Sequence, residues 1–270
     1  MKGAEAMRVM SYNILNGGFD GPDGGRRQLC VEAIRESDPD ILLVQEARGF
    51  LASGGERLYA FERAVGLRGF VAEAGTTGQN TAVFVRPGIE PLSFEADDAH
   101  FHHAAATLRL SVPWLDRPLT VASVHLCPNG PQVRLRETSY LFGLGVPDDN
   151  VILGGDFNSV SPDDPEPEGL PLLPAHHRVR YAAPDGTADR RAVAGLLQAG
   201  LVDVATRLGG NDATTVPAAG FGNTEFMPFR SDYLFASEAM ARRARSYAVM
   251  KTAATDAASD HYPIVVDFTE

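Results

Sequence analysis

The sequence predicts a single α/β domain covering residues 1–270. Short apolar runs typical of buried strands recur from one end of the chain to the other, and amphipathic helical stretches lie between some of them. No linker divides the chain, and the apolar runs after residue 174 are too few to build a second core. The short, mixed segment 1–7 is expected to be a flexible N-terminus.

The predicted strands are rich in Val, Ile, Leu and Phe and are bounded by Gly, Pro, Asn or Asp. In chain order they are Arg8–Tyr12, Ile41–Gln45, Thr81–Arg86, Thr107–Val112, Leu119–Leu126, Val151–Leu153, Asp232–Ala236 and Pro263–Phe268. Apolar and polar residues alternate within Leu108–Val112, which is typical of a sheet with one buried face.

The predicted helices repeat their apolar residues about one turn apart. They cover Arg26–Ser37, Gly55–Val65 and Asp189–Ala199, with a weaker stretch from Pro131 to Phe142. Gly200 is expected to end the third of these helices. The acidic, proline-rich segment 161–174 is interpreted as a surface loop.

Composition argues against several classes of protein. The chain has 24 Lys and Arg against 35 Asp and Glu, and its net charge of −11 argues against strong non-specific binding to nucleic acid or anionic lipid. Cys30 and Cys127 are too few for a disulfide scaffold and are interpreted as reduced. No apolar run approaches the ~20 residues of a membrane span. We therefore expect a soluble, cytoplasmic protein, and a monomer.

Polar residues that can carry chemistry stand at the ends of the predicted strands, which hold them stiffly beside solvent-facing loops. Asn13 is either a neutral metal or phosphate ligand or a residue that turns the chain. Glu46 follows four apolar residues, so its carboxylate either points to solvent or has a partner such as Mg²⁺. His125 is either structural or a donor to a phosphate oxygen.

The later motifs combine carboxylates with an amide or an imidazole. Asp156 and Asn158 are spaced by two, so in extended backbone they face the same side and can hold a water; the alternative is a Gly-Gly-Asp turn. Asp232 opens a strand, where it either caps that strand or orients a histidine. Asp260 and His261 directly precede the last strand, and as neighbours they face different directions.

Taken in order, these motifs resemble those of the endonuclease/exonuclease/phosphatase superfamily, the DNase-like fold. They are Ser11-Tyr12-Asn13, Gln45-Glu46, Val124-His125-Leu126, Gly154-Gly155-Asp156-Phe157-Asn158, Arg230-Ser231-Asp232-Tyr233-Leu234-Phe235 and Ser259-Asp260-His261-Tyr262-Pro263. Each motif alone is weak to moderate, but together and in the right order they are specific. The resemblance implies a four-layer α-β-β-α sandwich of two packed mixed β-sheets with helices outside.

The resemblance also implies a reaction, the hydrolysis of a P–O bond by in-line attack of water with Mg²⁺ or Mn²⁺ as cofactor. It makes Glu46 the main metal ligand. Asn13 and Asp260 would complete the surroundings of the metal, directly or through water.

The resemblance assigns the remaining motifs to catalysis. Asp156 and Asn158 would position the attacking water. His125 would donate a hydrogen bond to the phosphate, and Asp232 would orient His261. Either Asp156 or His261 would be the base that activates the water.

Two arginines are candidate contacts to the substrate phosphate. Arg48 would reach a phosphate or lie in solvent, and Arg230 would contact the substrate or pair with an acid. His102-His103 stands where many relatives have an arginine, which puts a phosphate contact there in doubt. Cys127 is interpreted as a filler residue, because no basic partner for a nucleophile is evident.

Three functions remain open. A metal-dependent phosphoesterase for a small or medium phosphorylated substrate fits the filled motifs and the acidic charge. A DNA or RNA nuclease with the same site is the alternative. Its basic surface would come from Arg134, Arg136, Arg190, Arg191, Arg242, Arg243 and Arg245. A non-catalytic binding module is disfavoured, because every motif position holds the expected residue type.

Overall fold

The computed structural model describes residues 6–21, 23–210, 213–222 and 226–270. Within these ranges two mixed sheets of six strands each pack face to face, with helices around them, which confirms the predicted fold class. The strands are β1 (Ala6–Asn13), β2 (Ile41–Gln45), β3 (Arg68–Ala72), β4 (Thr81–Val85), β5 (Glu90–Asp97), β6 (Ala105–Ser111), β7 (Leu119–His125), β8 (Asn150–Asp156), β9 (Val202–Asp203), β10 (Asp232–Ala236), β11 (Ala244–Val249) and β12 (Ile264–Thr269).

Helices connect many of the strands. They are α1 (Leu15–Gly18), α2 (Gly25–Ser37), α3 (Glu56–Val65), α4 (Pro131–Ser139), α5 (Ala175–Arg178), α6 (Arg191–Gln198), α7 (Val204–Leu208), α8 (Glu238–Ala241) and α9 (Ala253–Ala258). The four helices that the sequence predicts correspond to α2, α3, α6 and α4, with boundaries within a few residues. The chain turns into the left-handed region at Gly66 after α3, where a side chain would be strained.

The first sheet has the order β11-β12-β1-β2-β4-β3, and the second has the order β5-β6-β7-β8-β10-β9. Pairs β1–β2 and β7–β8 are parallel, and every other pair is antiparallel. The parallel pairs lie inside their sheets, where both faces are covered and the strands are almost wholly buried.

The main core lies between the two sheets. Val9 and Leu43 of the first sheet belong to one apolar cluster with Val121 and Ile152 of the second. A second cluster lies between the first sheet and helices α2 and α3, and a third packs α6 against the second sheet. Both sheets are therefore buried on two faces near their centres, and this makes the strand ends stiff supports for a site.

Glycine allows the sheets to approach closely near the end of β8. A Cβ on Gly154 would stand 2.6 Å from a methyl carbon of Leu43 in the other sheet. Gly155 has φ of +148°, and a Cβ there would lie 1.8 Å from the carbonyl oxygen of Val124. A side chain at Gly154 would displace leucine side chains of both sheets, and one at Gly155 would displace the backbone of β7.

Two expectations need correction. Residues 1–5 of the expected flexible segment lie outside the described residues, whereas Ala6 and Met7 belong to β1 and pair with β12. The segment 161–174 is a loop with a short 3₁₀ turn, but it does not lie wholly on the surface. Asp164 and Leu170 are buried, because one pairs with an arginine and the other joins a small apolar cluster.

Candidate active site

The sheet topology brings the chemically active motifs to one edge of the sandwich. Because β1 and β2 are parallel and Asn13 is paired with Gln45, Asn13 and Glu46 lie at the same end of the first sheet. In the second sheet β7 and β8 are parallel, and His125 is paired with Asp156. The antiparallel strands β10 and β12 reach this edge with their amino-terminal ends.

Glu46 is held by the backbone of the neighbouring turn. Its φ of +58° lies in the left-handed region, which is unusual for a residue other than glycine. The backbone N–H of Asn16 donates to Oε2 of Glu46 at 2.9 Å, and the N–H of Gly17 donates to its carbonyl oxygen at 2.7 Å. The turn α1 therefore fixes the direction of this carboxylate.

Asn13 joins the two sheets through its side-chain amide. Its Nδ2 donates to Oε1 of Glu46 and to Oδ2 of Asp156, both at 3.3 Å. Its Oδ1 accepts the backbone N–H of Leu15 at 3.1 Å. One lone pair of the amide oxygen is thus engaged, and Asn13 orients the two carboxylates with its nitrogen.

Asp156 lies at the centre of the site and is buried. Its Oδ1 accepts the hydroxyl of Ser231 at 2.6 Å and the backbone N–H of Asn158 at 2.9 Å. Burial alone would raise the pKa of Asp156, but His261, His125 and these donors together lower it. The structure therefore favours an ionised carboxylate at the centre of the site.

His261 lies between two buried carboxylates. Its Nδ1 is 2.9 Å from Oδ2 of Asp232, and its Nε2 is 3.5 Å from Oδ2 of Asp156. Burial opposes the charged ring, but Asp232 and Asp156 outweigh it and hold the pKa of His261 well above its usual range. One ligand atom from each of these three residues lies within 4.8 Å of the others, yet an imidazolium has no lone pair for a metal.

A second imidazole reaches Asp156 from the other side. Nε2 of His125 is 3.3 Å from Oδ2 of Asp156, and the ring of His103 lies 4.3 Å from that of His125. Thr77 accepts the backbone N–H of Gln79, so its hydroxyl proton is free to donate to Nδ1 of His103 at 2.8 Å. Burial, together with the charges of His125 and His102, lowers the pKa of His103 to about 2, so His103 is neutral.

Asp260 forms an acidic wall together with Glu46 and Asp156. Burial raises its pKa against the effect of His261, and the carboxylates of Glu46 and Asp156 raise it further. Ser259 connects this segment to β1 by donating its hydroxyl to the carbonyl oxygen of Asn13 at 2.7 Å. Three carboxylates that repel one another at one place are a fitting environment for a cation.

These groups surround one pocket of about 430 Å³. It is lined by Leu15, Asn16, Glu46, Gln79, His103, His125, Pro128, Asp156, Asn158, His177, Phe226, Asp260 and His261. Asn13 and Asp232 lie behind this lining and support it through Glu46, Asp156 and His261. The pocket thus has carboxylates and imidazoles that point at the same space.

Comparison with known proteins identifies the family. The model of the endonuclease/exonuclease/phosphatase family matches residues 10–261, which is most of the chain. The chain belongs to this family. Members of the endonuclease/exonuclease/phosphatase family hydrolyse phosphoester bonds. No curated protein sequence matches the chain.

Solved structures of other proteins have the same fold. A family protein from Bacteroides thetaiotaomicron superposes with a TM-score of 0.69 at 16% identity, over 97% of this chain and 94% of that one. An AP endonuclease from Archaeoglobus fulgidus gives 0.67 at 20% identity, over 97% and 99%. A mannosyl-6-phosphatase from B. thetaiotaomicron gives 0.68 at 18% identity, over 96% and 98%. At these identities the similarity is evidence for the fold alone.

The two candidate phosphate arginines occupy different environments within this endonuclease/exonuclease/phosphatase fold. Arg48 is exposed at the rim of the pocket, where its guanidinium donates to Oδ1 of Asn16 at 3.2 Å. Arg230 is buried and pairs with Asp164 and Asp203, with its shortest contact to each at 2.6 Å. The expectation that Arg230 contacts the substrate is corrected, because its donors are directed at two acids.

Several residues that line the pocket lie outside the sequence motifs from which the site was predicted. Asn16 lies in an Asn-Gly-Gly turn, and Gln79 donates to its Oδ1 at 2.8 Å. His103, whose place in the sequence left a phosphate contact in doubt, does line the pocket.

Within the described ranges, no helix has the length and apolar character needed to cross a bilayer.

Proposed function

We propose that this chain is a divalent-metal-dependent phosphoesterase that hydrolyses a phosphate mono- or diester by in-line attack of an activated water. The observation that carries the proposal is the composition of one pocket. Glu46, Asp156 and Asp260 face it together with the imidazoles of His125 and His261. Carboxylates suit a hard cation, and imidazoles suit a phosphoryl oxygen or a water.

The acidic wall fits Mg²⁺ or Mn²⁺. Glu46 and Asp260 supply carboxylate oxygens to the pocket, and their mutual repulsion with Asp156 would be relieved by a cation. Asn13 would complete the surroundings of the metal directly, through the second lone pair of its amide oxygen, or through a water. When bound, such an ion neutralises charge that develops on the phosphate and the leaving oxygen.

His125 and His261, together with Asp156, would position the reacting groups. The Nε2 atoms of His125 and His261 lie 3.3 and 3.5 Å from the same oxygen of Asp156, so a phosphoryl oxygen or a water between them meets two donors. Asp232 keeps His261 charged and oriented. This pattern favours Asp156 as the acceptor for the attacking water, with His261 as its cationic partner.

Asn158 supports this arrangement through the backbone. Its N–H donates to Asp156 at 2.9 Å, while its side-chain amide donates to the carbonyl oxygen of Leu126 at 3.0 Å. Its φ of +47° turns the chain sharply after β8. We infer that Asn158 positions Asp156 and, through its remaining oxygen, the water.

A small or medium phosphorylated substrate is favoured over a long nucleic acid. The pocket volume lies within the range of small-molecule sites, and the net charge of −11 opposes non-specific binding to DNA or RNA. Most arginines proposed for a basic surface are already occupied. Arg134 is buried against backbone carbonyls, Arg191 pairs with Asp189, and Arg242 pairs with Glu238. The AP endonuclease and the mannosyl-6-phosphatase of the same fold illustrate the two alternatives.

A substrate panel tests the proposal. Wild-type protein is incubated with bis-aryl phosphate, nucleotides, sugar phosphates, phospholipids, RNA and nicked plasmid, each with Mg²⁺, Mn²⁺ or EDTA. We expect metal-dependent turnover of small phosphoesters at lower enzyme concentration than cleavage of plasmid. Relaxation or cleavage of plasmid before any small-molecule turnover would favour the nuclease, and no hydrolysis of any substrate would contradict the proposal.

A further inference from the structure

Three arginines of the outer helices lie near one another, and none of them has an ion-pair partner among the described residues. Arg27 belongs to α2, and Arg57 and Arg63 belong to α3. Burial lowers the pKa of Arg27, and the charges of Arg57 and Arg63 lower it further. None of the three forms an ion pair or a hydrogen bond with a described residue, and Nε of Arg27 is buried without a partner there.

This situation contrasts with other arginines of the same chain. Arg26, the neighbour of Arg27, pairs with Asp20 and also donates to backbone carbonyl oxygens. Arg86 and Arg230 each pair with two aspartates. In a protein with eleven more acidic than basic side chains, three neighbouring arginines that form no ion pair are candidates to bind an anion.

The topology places this group at the same edge as the catalytic pocket. The parallel strands β1 and β2 both end at that edge, so the helices that follow them, α2 and α3, both start there. Phe19 connects the two regions. The guanidinium of Arg57 lies 4.1 Å from the centre of its ring and that of Arg27 lies 5.8 Å from it. The N–H of Phe19 donates to the carbonyl oxygen of Asn16, which lines the pocket, so one chain turn separates the arginines from the pocket wall.

The space next to the arginines is open. A groove of about 910 Å³ runs from Arg27 along α2 towards Arg35, and Ala60 and Ala64 of α3 leave room on its other side. Glu32 and Glu36 also line the groove, but neither is paired with the three arginines. A ligand can therefore reach the guanidinium group of Arg27 from this groove, and Arg63 is exposed to solvent.

We propose that Arg27, Arg57 and Arg63 bind a second phosphate group of the substrate while the catalytic pocket holds the phosphate that is hydrolysed. The inference rests on the proposed function and narrows the substrate class to molecules that carry at least two phosphate groups. Guanidinium groups match phosphate oxygens in geometry and charge, and stacking on Phe19 holds two of them in place before a ligand arrives. A short oligonucleotide and a small bisphosphate offer the same chemistry.

Binding without catalysis tests the site. Fluorescence anisotropy of a dye-labelled short oligonucleotide is measured in EDTA for wild type, Arg57→Gln, Arg63→Gln and the double variant. Arg109→Gln is the matched control, because Arg109 is an exposed arginine on β6 of the other sheet. Each substitution in α3 is expected to weaken binding about tenfold. The slope of the logarithm of the binding constant against the logarithm of the salt concentration should become less steep by about 0.7 per lost phosphate contact. The control should stay within about twofold of wild type.

Competition distinguishes the two sources of phosphate. If adenosine bisphosphate displaces the oligonucleotide from wild type while adenosine monophosphate does not, the ligand is a small bisphosphate. If only unlabelled oligonucleotide competes, the ligand is a nucleic-acid chain. Either result supports the site provided that the α3 variants lose the same binding.

Two outcomes overturn the inference, namely no measurable binding by wild type, or equal binding by the α3 variants and the control. Hydrolysis of bis-aryl phosphate, which carries one phosphate, is measured in parallel and should be unaffected by Arg57→Gln and Arg63→Gln. If wild type hydrolyses bis-aryl phosphate but the α3 variants bind the oligonucleotide as tightly as wild type, the second site alone is refuted. Arginine-dependent binding without hydrolysis of any substrate would refute the proposed function alone.

Discussion

Replacing Arg230 with methionine should destabilise the protein strongly, because the arginine neutralises two buried acids. Its guanidinium contacts Asp164 at 2.6 and 3.0 Å and Asp203 at 2.6 and 3.0 Å, and it lies 4.4 Å from the centre of the Tyr233 ring. Both acid side chains are at most 4% exposed, so removal of the arginine leaves two carboxylates without water or a counter-charge.

Breaking a buried ion pair from one side costs about 3–5 kcal/mol. The whole free energy of unfolding of a domain is about 5–15 kcal/mol, so Arg230→Met removes a large fraction of it. Urea denaturation followed by circular dichroism measures the change. Lysine at position 230 should be less damaging, because it keeps the charge but loses the paired contacts. Arg109→Met, on the surface, should change the free energy of unfolding by less than about 0.5 kcal/mol.

One result would contradict the structural role of Arg230. An unchanged free energy of unfolding in Arg230→Met, together with a raised KM for phosphoesters, would refute the buried ion-pair account and return Arg230 to phosphate binding. A further check is Asp164→Asn in the methionine background. Because it removes one of the two uncompensated charges, it should recover part of the lost stability.

Three further predictions concern single side chains. Asp232→Asn should lower kcat at least about a hundredfold. Because the substitution removes the charge that raises the pKa of His261, the alkaline limb of the kcat–pH profile should shift to lower pH. An unchanged profile would contradict the pairing of Asp232 with His261. Burial holds the pKa of His103 at about 2, below its unfolded value near 6.5, so stability should fall by about 1.4 kcal/mol per pH unit from this residue as pH drops below 6.5. His103→Gln should show a shallower loss in urea denaturation between neutral and mildly acidic pH, and identical slopes would refute the burial of a neutral ring. Gly155→Ala should lower the free energy of unfolding by about 2–3 kcal/mol, because its Cβ would overlap the Val124 carbonyl; thermal unfolding at the wild-type temperature would show that the strand can shift.

The sequence predicts the central strands but not the outer ones. All eight predicted strands occur, whereas β3, β5, β9 and β11 have no clear apolar pattern and were not predicted. These four are the edge strands of the two sheets. An edge strand is covered less completely, so its residues need not be apolar, and β5 is exposed along most of its length. The apolar runs that predict strands reflect burial, so they are absent from strands that are largely exposed.

Motifs at strand ends were informative for the site because strand order brings them together. Glu46, Asp156, His125 and His261, which stand after or before apolar runs in the sequence, line one pocket. Arg230 was ambiguous for a physical reason. Its partners, Asp164 and Asp203, come from a proline-rich loop and from a two-residue strand, and only the folded chain places them beside it.

Long-range packing likewise explains the residues that the sequence did not reveal. The three arginines of the α2–α3 surface are ordinary helix residues in the sequence. Their significance depends on two helices that follow parallel strands and on Phe19 lying close to both Arg27 and Arg57. No local pattern predicts that contact.

The most direct test of the central claim is a metal titration of bis-aryl phosphate hydrolysis by wild type, Glu46→Gln and Glu95→Gln. Glu95 is an exposed glutamate on β5, so its variant controls for the loss of one negative charge. We expect wild type and Glu95→Gln to be activated by Mg²⁺ or Mn²⁺ in a saturable way and to lose activity in EDTA. Glu46→Gln should need at least about tenfold more metal or show no activity, with unchanged circular dichroism. Hydrolysis by Glu46→Gln with the metal dependence of wild type would contradict the account, and so would wild-type hydrolysis that persists in EDTA.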